Sequence, residues 1–311
     1  MTTENVNFLK IAQMTEDEAR EMIEEIRWAD GIVCPKCGSD KGAYDLQGSS
    51  HRKGLYKCKE CRKQFTVTVG TIFEGSRIPL NKWLVAIYMM CASKKGVSAN
   101  QLHRQLDITY KSAWFMCHRI RHAMTEEPLK GMLLNGIVEA DETYIGGKEK
   151  NKHADKRTKN NQGRSTKTKT PVAILVERGG RARAKKLTDV GMKTLQENIE
   201  RNVSPDSDLM TDEWRSYAGL DRKFKSHSVV EHNKGQYVRG NAYTNTAESW
   251  IALLKRGVIG TFHHVSEKHL DRYVNEFAFR WDNRKTSDGE RFINMLNIID
   301  GKRLYYKSPS R

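Results

Sequence analysis

Gly136-Ile-Val-Glu139-Ala-Asp141-Glu142-Thr-Tyr144 reads as a β-strand with an acid planted towards its carboxyl end. Alternation along an extended chain puts Ile137, Glu139 and Asp141 on one side and Val138, Ala140 and Glu142 on the other. A strand that carries Asp141 so near its end projects it into a cleft, whereas Glu139 and Glu142 read as supporting or surface residues, the surface favoured. The same stretch opens a run of extended segments. Thr170-Pro-Val-Ala-Ile-Leu-Val-Glu177 is a second strand and Ala184-Lys-Lys-Leu-Thr188 a weaker third. A helix from about Met192 to Val203 follows, and then a short strand, Asp208-Leu-Met-Thr-Asp212, which ends on an acid as the first one does.

A further acid stands in Asn245-Thr-Ala-Glu248, at the start of a helix. Two readings of Glu248 are open. Asn245 followed three residues later by Glu248 has the form of a capping box, which would make Glu248 structural. Against that, Glu248 and Lys255 are seven apart and share a helix face, while Trp250, Leu253, Leu254 and Val258 make a separate apolar face suited to packing on a sheet. The second pattern favours a metal ligand with a phosphate-contacting lysine. Three strands, a helix, a strand and then a helix bearing an acid is the element order of a ribonuclease-H-like fold, whose metal site gathers acids from separate elements. Phosphodiester cleavage needs an activated water, a stabilised pentavalent phosphorus and a neutralised leaving oxygen. Two Mg²⁺ ions about 4 Å apart supply all three, and hard carboxylate oxygens hold them.

Between the first two strands lies a polar tract, 148–169. It holds Lys148, Lys150, Lys152, Lys156, Arg157, Lys159, Arg164, Lys167 and Lys169 against Glu149 and Asp155. Such a tract cannot bury a core. It reads equally as a solvated hairpin insertion and as a loop that orders on a DNA backbone.

Upstream the chain changes character twice. Thr15 to Trp28 is a helix with Thr15 and Glu18 as a capping box and Ala19, Met22, Ile23 and Ile26 on one face. Next comes Cys34-Pro-Lys-Cys37-Gly, then twenty intervening residues (58 − 37 − 1), then Cys58-Lys-Glu-Cys61. Each Cys-x-x-Cys brings two thiolates to one ion from a tight turn, Gly38 permits the backbone to turn after the second ligand, and two such knuckles close a tetrahedral site. The β-prone flanks Leu55-Tyr56-Lys57 and Gln64-Phe65-Thr66-Val67-Thr68-Val69 make the unit a zinc ribbon. Four thiolates leave no open position, so the expected Zn²⁺ is structural. Cys91 and Cys117 lie in apolar helical surroundings and read as buried free thiols.

From Pro79 to Met124 the pattern is helical, with Trp83, Ile87 and Met90 on one stripe. Ser98 to Leu106 and a second helix from about Thr109, through Lys111, Ser112, Trp114, Arg119 and Arg121, flank the turn Asp107-Ile108. This arrangement suits a helix-turn-helix with Tyr110, Lys111 and Ser112 at the start of a recognition helix; the bland alternative is a helical hairpin with a solvated basic face. His118 and His122 read as a solvated or phosphate-facing pair. Towards the carboxyl end, Leu270, Tyr273, Val274, Phe277 and Trp281, then Phe292, Leu296 and Ile299, repeat at helical spacing and read as core.

Charge agrees with a polyanionic partner. The 311-residue chain carries a formal +16, yet residues 1–30 hold three basic against eight acidic side chains, 3 − 8 = −5, so the remainder carries +21. Each Lys or Arg set on a phosphate releases condensed counterions. With 38% hydrophobic and 30% charged residues the chain can bury a core. It has no run of about 18 apolar residues, and its opening MTTENVNFLK lacks the form of a signal peptide, so an intracellular protein is expected.

Taken together, several runs resemble one family. They are Arg27-Trp28-Ala-Asp-Gly-Ile-Val-Cys34-Pro-Lys-Cys37-Gly, Gly70-Thr-Ile-Phe, Pro79-Leu-Asn-Lys-Trp83, Glu139-Ala-Asp141-Glu-Thr-Tyr-Ile-Gly-Gly147, Thr211-Asp212-Glu-Trp-Arg-Ser-Tyr217 and Asn245-Thr-Ala-Glu248. The last run continues into Leu254-Lys255-Arg-Gly-Val-Ile-Gly-Thr-Phe-His263-His264-Val-Ser266. The pattern, spanning nearly the whole chain, is similar to that of bacterial insertion-sequence transposases that join a zinc ribbon to a DDE domain. The resemblance implies that Asp141, Asp212 and Glu248 are the DDE ligands, with 35 residues between the last two (248 − 212 − 1), and that Lys255 is the basic residue that follows the final acid. It gives no role for His263 and His264, which serve either a fold-supporting turn or a DNA contact.

The expectation is thus a multidomain α/β protein: an N-terminal helix over 1–30, a zinc ribbon over 31–76, a helix-turn-helix region over 77–128 and a ribonuclease-H-like mixed-sheet domain over 129–311. Its expected function is DNA transposition, with hydrolysis of a phosphodiester at two Mg²⁺ (or Mn²⁺) ions and attack of the freed 3′-hydroxyl on target DNA. Expected partners are double-stranded DNA, as element terminal repeats and target, and further copies of the chain. No membrane is involved, and the place of action is the cytoplasm, at the nucleoid. Two rivals stand beside it: a non-catalytic DNA-binding regulator that uses only the ribbon and helix-turn-helix, and a nuclease without strand transfer.

Overall fold

The computed structural model describes residues 6–125, 133–147, 149–159, 165–235 and 238–306. Lys148 and Arg164 of the basic tract, and the expected boundary at 128–129, lie outside the described residues. The chain divides into two compact units, 1–125 with 285–311 and 126–284.

The first unit begins with α1 (Phe8–Gln13) and α2 (Glu16–Arg27). In α2 the Thr15 side chain takes the Glu18 amide while the Glu18 carboxylate takes that of Thr15, the capping box legible in the sequence. A three-stranded antiparallel ribbon follows, β1 (Ala43–Asp45), β2 (Tyr56–Cys58) and β3 (Gln64–Phe65). Trp28, Tyr56 and Phe65 pack around the buried Cys34 and Cys58 as its small core. The β-prone run after Phe65 leaves the sheet, because Val69 and Thr71 turn back on Thr66 and Thr68 through their amides.

Three helices come next: α3 (Leu80–Ala92), α4 (Ala99–Leu106) and α5 (Tyr110–Ala123). Ser98 and Thr109 cap α4 and α5, and Asp107 closes α4 in the left-handed conformation at φ 47°. Two helices across a turn are as expected and fit both the helix-turn-helix and the helical-hairpin readings, but the basic residues are not all solvated. Arg119 and Arg121 are buried, and so is His118, 1% exposed with its ring 4.1 Å from that of Trp114. The reading of His118 and His122 as a solvated or phosphate-facing pair is therefore wrong for His118, whose position on α5 faces the helical core. Cys91 and Cys117 are buried and in no disulfide, as expected.

The second unit is built on a five-stranded sheet. Its strands are β4 (Ile137–Ile145), β5 (Thr170–Glu177), β6 (Ala182–Lys186), β7 (Asp208–Asp212) and β8 (Ser226–Val230), in the order β6-β5-β4-β7-β8. The first three pair antiparallel, while β7 and β8 run parallel to β4. This order and these senses are those of the ribonuclease-H-like fold. Helix α6 (Met192–Asn202) covers one face, packing Leu195 and Ile199 on Val138, Ala140, Ala173 and Leu175. Helices α7 (Asn245–Gly257) and α8 (Leu270–Asp282) cover the other, with Trp250, Leu254 and Phe277 against Val172, Ile174 and Val176. Each such fully buried side chain contributes about 1.5–3 kcal/mol, which fixes the layers. After Gly257 the backbone runs through a π-helical turn, Val258–Phe262, into His263 at φ 59°.

One element belongs elsewhere than its place in sequence suggests. Helix α9 (Asp288–Leu296) is part of the first unit and packs on α3, with the Phe292 ring 5.7 Å from Tyr88. The sheet unit thus ends at 284 and not at 311. No helix among the described residues is long and apolar enough to cross a membrane.

Candidate active site

Strand register brings the first two acids together. Ile137 of β4 faces Asp208 of β7, an offset of 208 − 137 = 71, and the pairing runs to Glu139 and Met210; carried two residues further, the same offset puts Asp212 level with Asp141 (212 − 141 = 71), whose carboxyl feels its charge. Parallel neighbours stand about 4.8 Å apart with side chains on the same face, so both carboxylates emerge together on the side covered by α7. The Glu142 amide donates to Asp141 Oδ1 at 2.7 Å and the Trp214 amide to Asp212 Oδ1 at 3.0 Å, which orients each group; Asp212 ends β7 as expected, but Asp141 sits in the middle of β4 and not towards its end, because the strand runs on to Ile145 along β5.

The third acid arrives on α7. Glu248 lies in its first turn, half exposed, with Oε1 3.6 Å from His232 Nε2. It is not a cap. Thr244 is the N-cap residue and makes no side-chain capping bond, so the capping-box reading of Asn245 and Glu248 does not hold. Glu248, Ile251 and Lys255, spaced three and four apart on one helical stripe, line a cleft of about 430 Å³ with Asp141, Glu142, Thr143, Tyr144 and Lys169. Asp212 does not line this cleft but stands beside Asp141 on the adjoining strand.

Burial, then repulsion by Glu142, Asp212 and Glu248, pushes the Asp141 carboxyl up to about 7. Each of the three neighbours is therefore close enough for its charge to be felt at Asp141. Hard carboxylate oxygens whose charges repel one another at Asp141 suit a divalent cation such as Mg²⁺, and Asp141, Asp212 and Glu248 could hold one, although among the described residues only the four cysteines already stand within ligand distance of one another.

Lys169 enters the cleft through the hairpin between β4 and β5. A Cβ on Gly146 would lie 2.9 Å from the Thr168 carbonyl oxygen and 3.1 Å from Lys169 Cα, so only glycine lets the two strands close here. The residue belongs to the basic tract of the sequence, but nothing in that tract singles it out from its neighbours.

Glu139 is the largest departure from the sequence reading. Expected at the surface, it is fully buried and bonded to Arg178 and to the start of α7. Alternation did place it on the face of Asp141, and that was the available signal; the helix that covers this face comes from more than a hundred residues downstream. Glu142, on the opposite face, accepts from the buried Tyr217 hydroxyl at 2.7 Å.

In the first unit the four cysteines meet. Cys34 and Cys61 Sγ are 3.8 Å apart, as are Cys37 and Cys58, and all four sulfurs lie within 4.8 Å of one another. A tetrahedron with metal–sulfur bonds of about 2.3 Å has edges of about 3.8 Å, so the set has zinc dimensions. Gly38 at φ 74° and Arg62 at φ 60° occupy equivalent positions after the two knuckles. Amides of Cys61 and Glu60 pull the Cys58 thiol down to about 7, which favours the ligating thiolate.

Comparisons with known proteins parallel this division. Residues 14–64 match the transposase zinc-ribbon domain, and residues 133–282 match the ISXO2-like transposase domain. A protein of Halobacterium salinarum described as uncharacterized, in transposable element ISH50, is 30% identical over 278 residues, 86% of this chain and 91% of that one. An uncharacterized transposase-like protein of Haemophilus influenzae is 27% identical over 108 residues, 35% of this chain and 86% of the relative. Among solved structures, the Mos1 strand transfer complex is similar at a TM-score of 0.29 and 14% identity, covering 64% of this chain and 69% of that one. The Mos1 mariner paired end complex with Mn gives 0.29 and 15%, covering 64% and 70%. With the ribbon match and the sulfur geometry together, Cys34, Cys37, Cys58 and Cys61 form a structural zinc site.

Proposed function

The chain belongs to the insertion-sequence transposases, and from that premise we propose that Asp141, Asp212 and Glu248 form the site at which it cuts and joins DNA. The observation that carries this reading is the pairing of β4 with β7, which runs to Glu139 and Met210 and leads two residues on to Asp141 and Asp212, together with the helix whose Glu248 lines one cleft with Asp141. When bound there, two Mg²⁺ (or Mn²⁺) ions would lower the pKa of a water or a 3′-hydroxyl and neutralise charge on the phosphate.

The chain's own groups then divide the remaining work. Asp141, buried and raised to about 7, is partly protonated near neutral pH, so a cation would compete with a proton there and occupancy of the site would depend on pH. Lys255 and Lys169 line the same cleft as Asp141 and Glu248 and are placed to hold the non-bridging oxygens of the scissile phosphate. Hydrolysis and strand transfer are both in-line displacements at one phosphorus, so a single acid site serves both steps.

Recognition of element ends falls to the first unit. The exposed start of α5, with Tyr110 and Lys111, has the form of a recognition helix for the major groove. The ribbon and the basic 148–169 segment are further candidates for phosphate contacts, and active complexes would contain more than one copy of the chain. Work on chromosomal DNA would bring the protein to the nucleoid. A regulator that only bound DNA would have no use for three converging acids, which is why the catalytic reading is preferred.

Asp141→Asn and Asp212→Asn, made separately, test the assignment with labelled element ends and Mg²⁺. Loss of cleavage and of joined products is expected for both. Cleavage retained by either variant removes that residue from the mechanism, and cleavage without joined products in the wild type would make the protein a nuclease.

A further inference from the structure

Glu139 is a buried carboxylate that the chemistry above does not use. Its side chain is wholly shielded from solvent, yet four groups converge on it. Thr246 N and Ala247 N donate to Oε2 at 2.7 and 3.0 Å; Thr246 Oγ1 and Arg178 Nε donate to Oε1 at 2.9 and 2.6 Å. Helix α7 lacks a side-chain cap of its own, so its first amides are satisfied by a residue of β4. Arg178 extends the clamp. Its Nη1 and Nη2 donate to the Asn241 and Tyr243 carbonyl oxygens, each at 2.9 Å, and its guanidinium carbon lies 3.4 Å from the centroid of the Tyr243 ring. The loop that leads into α7 and the first turn of α7 are therefore tied to one carboxylate.

The energetics make that choice informative. Burying a charge costs several kcal/mol before its partners offset it, and an apolar contact of the same size would pack the helix at no such cost. What the carboxylate adds is direction. Charge-assisted bonds to helix N-terminal amides fix the position and rotation of the helix to tenths of an ångström, which van der Waals packing does not. The beneficiaries flank the contact. Asp141 is the next residue on the same face of β4, about 6.8 Å along the strand, and Glu248 directly follows Ala247.

Resting on the acid-site reading of the preceding section, we propose that Glu139, held by Arg178, is the positioning residue that sets Glu248 opposite Asp141. Uptake of a divalent cation by the three acids then depends on a carboxylate that is not itself a ligand. Residues that orient metal ligands from behind typically alter affinity about 10–100-fold when changed.

The test is a Mn²⁺ titration of the full-length, zinc-loaded protein without DNA, read by electron paramagnetic resonance, with the thermal midpoint measured in parallel. Glu139→Gln keeps the size but turns an amide towards Arg178, and Arg178→Lys keeps the charge but cannot span both carbonyls. Both are expected to weaken Mn²⁺ binding, Glu139→Gln by about tenfold or more. Glu248→Gln serves as the control. If Glu248→Gln weakens binding while a folded Glu139→Gln stays within about twofold of wild type, the positioning role is overturned and Glu139 only supports the fold. If Glu248→Gln itself binds as wild type does, the acid-site reading fails first. Should Glu139→Gln not fold, Arg178→Lys decides by the same comparison, unchanged affinity overturning the proposal.

Discussion

The Tyr217 hydroxyl donates to Glu142 Oε2 at 2.7 Å, from the face of β4 opposite the one that carries Asp141. Tyr217 is 2% exposed, and its burial, reinforced by the charge of Glu142, raises the phenol well above its ordinary range. Burial therefore favours the neutral, donating phenol. Losing a hydrogen bond to a charged acceptor costs about 1.5–3 kcal/mol. Tyr217→Phe is accordingly expected to lower the Tm of the sheet unit by roughly 4–8 °C for a loss of about 2 kcal/mol. Calorimetry checks this, and an unchanged Tm would mean that Glu142 is held by other contacts alone.

Asp141 predicts a pH dependence with a definite sign. Its carboxyl is raised from 3.8 to about 7 in the folded chain, so the native state holds its proton more tightly than the unfolded one. From this group, stability is greatest below about pH 4, declines as pH rises towards 7 and is level above. Asp141→Asn removes the penalty. Without added divalent cations beyond the ribbon zinc, the variant is expected to be more stable than wild type at pH 8 and no more stable at pH 4. Added Mg²⁺ should reverse the order at pH 8, because only the wild type gains from binding. Melting curves at the two pH values decide it; a wild type that gains nothing from Mg²⁺ would count against a cation site at Asp141.

Zinc ligation predicts a local loss. Cys58→Ser should reduce zinc from about one per chain to near zero and disorder the ribbon. Trp28 lies 5.0 Å from Tyr56 and 6.1 Å from Phe65, edge-on in both cases, so its near-ultraviolet circular dichroism reports the change. The sheet unit has cores of its own and should still unfold cooperatively. Loss of both signals together would show that the units do not fold independently.

Lys111 is exposed at the start of α5, with its ammonium 5.0 Å from the centroid of the Tyr306 ring. If that end of the helix meets DNA, Lys111→Ala removes one phosphate contact. Binding to element ends and to unrelated duplex should weaken alike, and the slope of log K against log salt should fall by about 1. A titration series between low and moderate salt measures it. An unaltered slope would move the DNA-binding face away from α5.

What could be read along the chain was whatever depends on neighbours in sequence. The Thr15–Glu18 box, the two Cys-x-x-Cys turns, the extended runs of β4 and β5 and the stripe shared by Glu248 and Lys255 are all set by residues within one or two turns of each other. Short or polar elements escaped this reading. Helix α1 has six residues, and β8, Ser226-His-Ser-Val-Val230, is a half-buried edge strand whose pattern differs little from a loop. Helix α9 was legible as a helix but not as a member of the first unit, since an amphipathic stripe states that a partner exists and not which one.

By itself the sequence determined the kinds of element, the metal chemistry of the four cysteines and the three acids worth watching, because side-chain period and ligand spacing are local properties. Only the tertiary structure decided that β7 joins β4, which brings the charge of Asp212 to bear on Asp141, and that Glu139 goes to the buried start of α7 instead of to solvent. The physical reason is the same in both cases. The value of a charge depends on how much water surrounds it and on which donors meet it, and for Glu139 those donors lie 107 and 108 residues downstream.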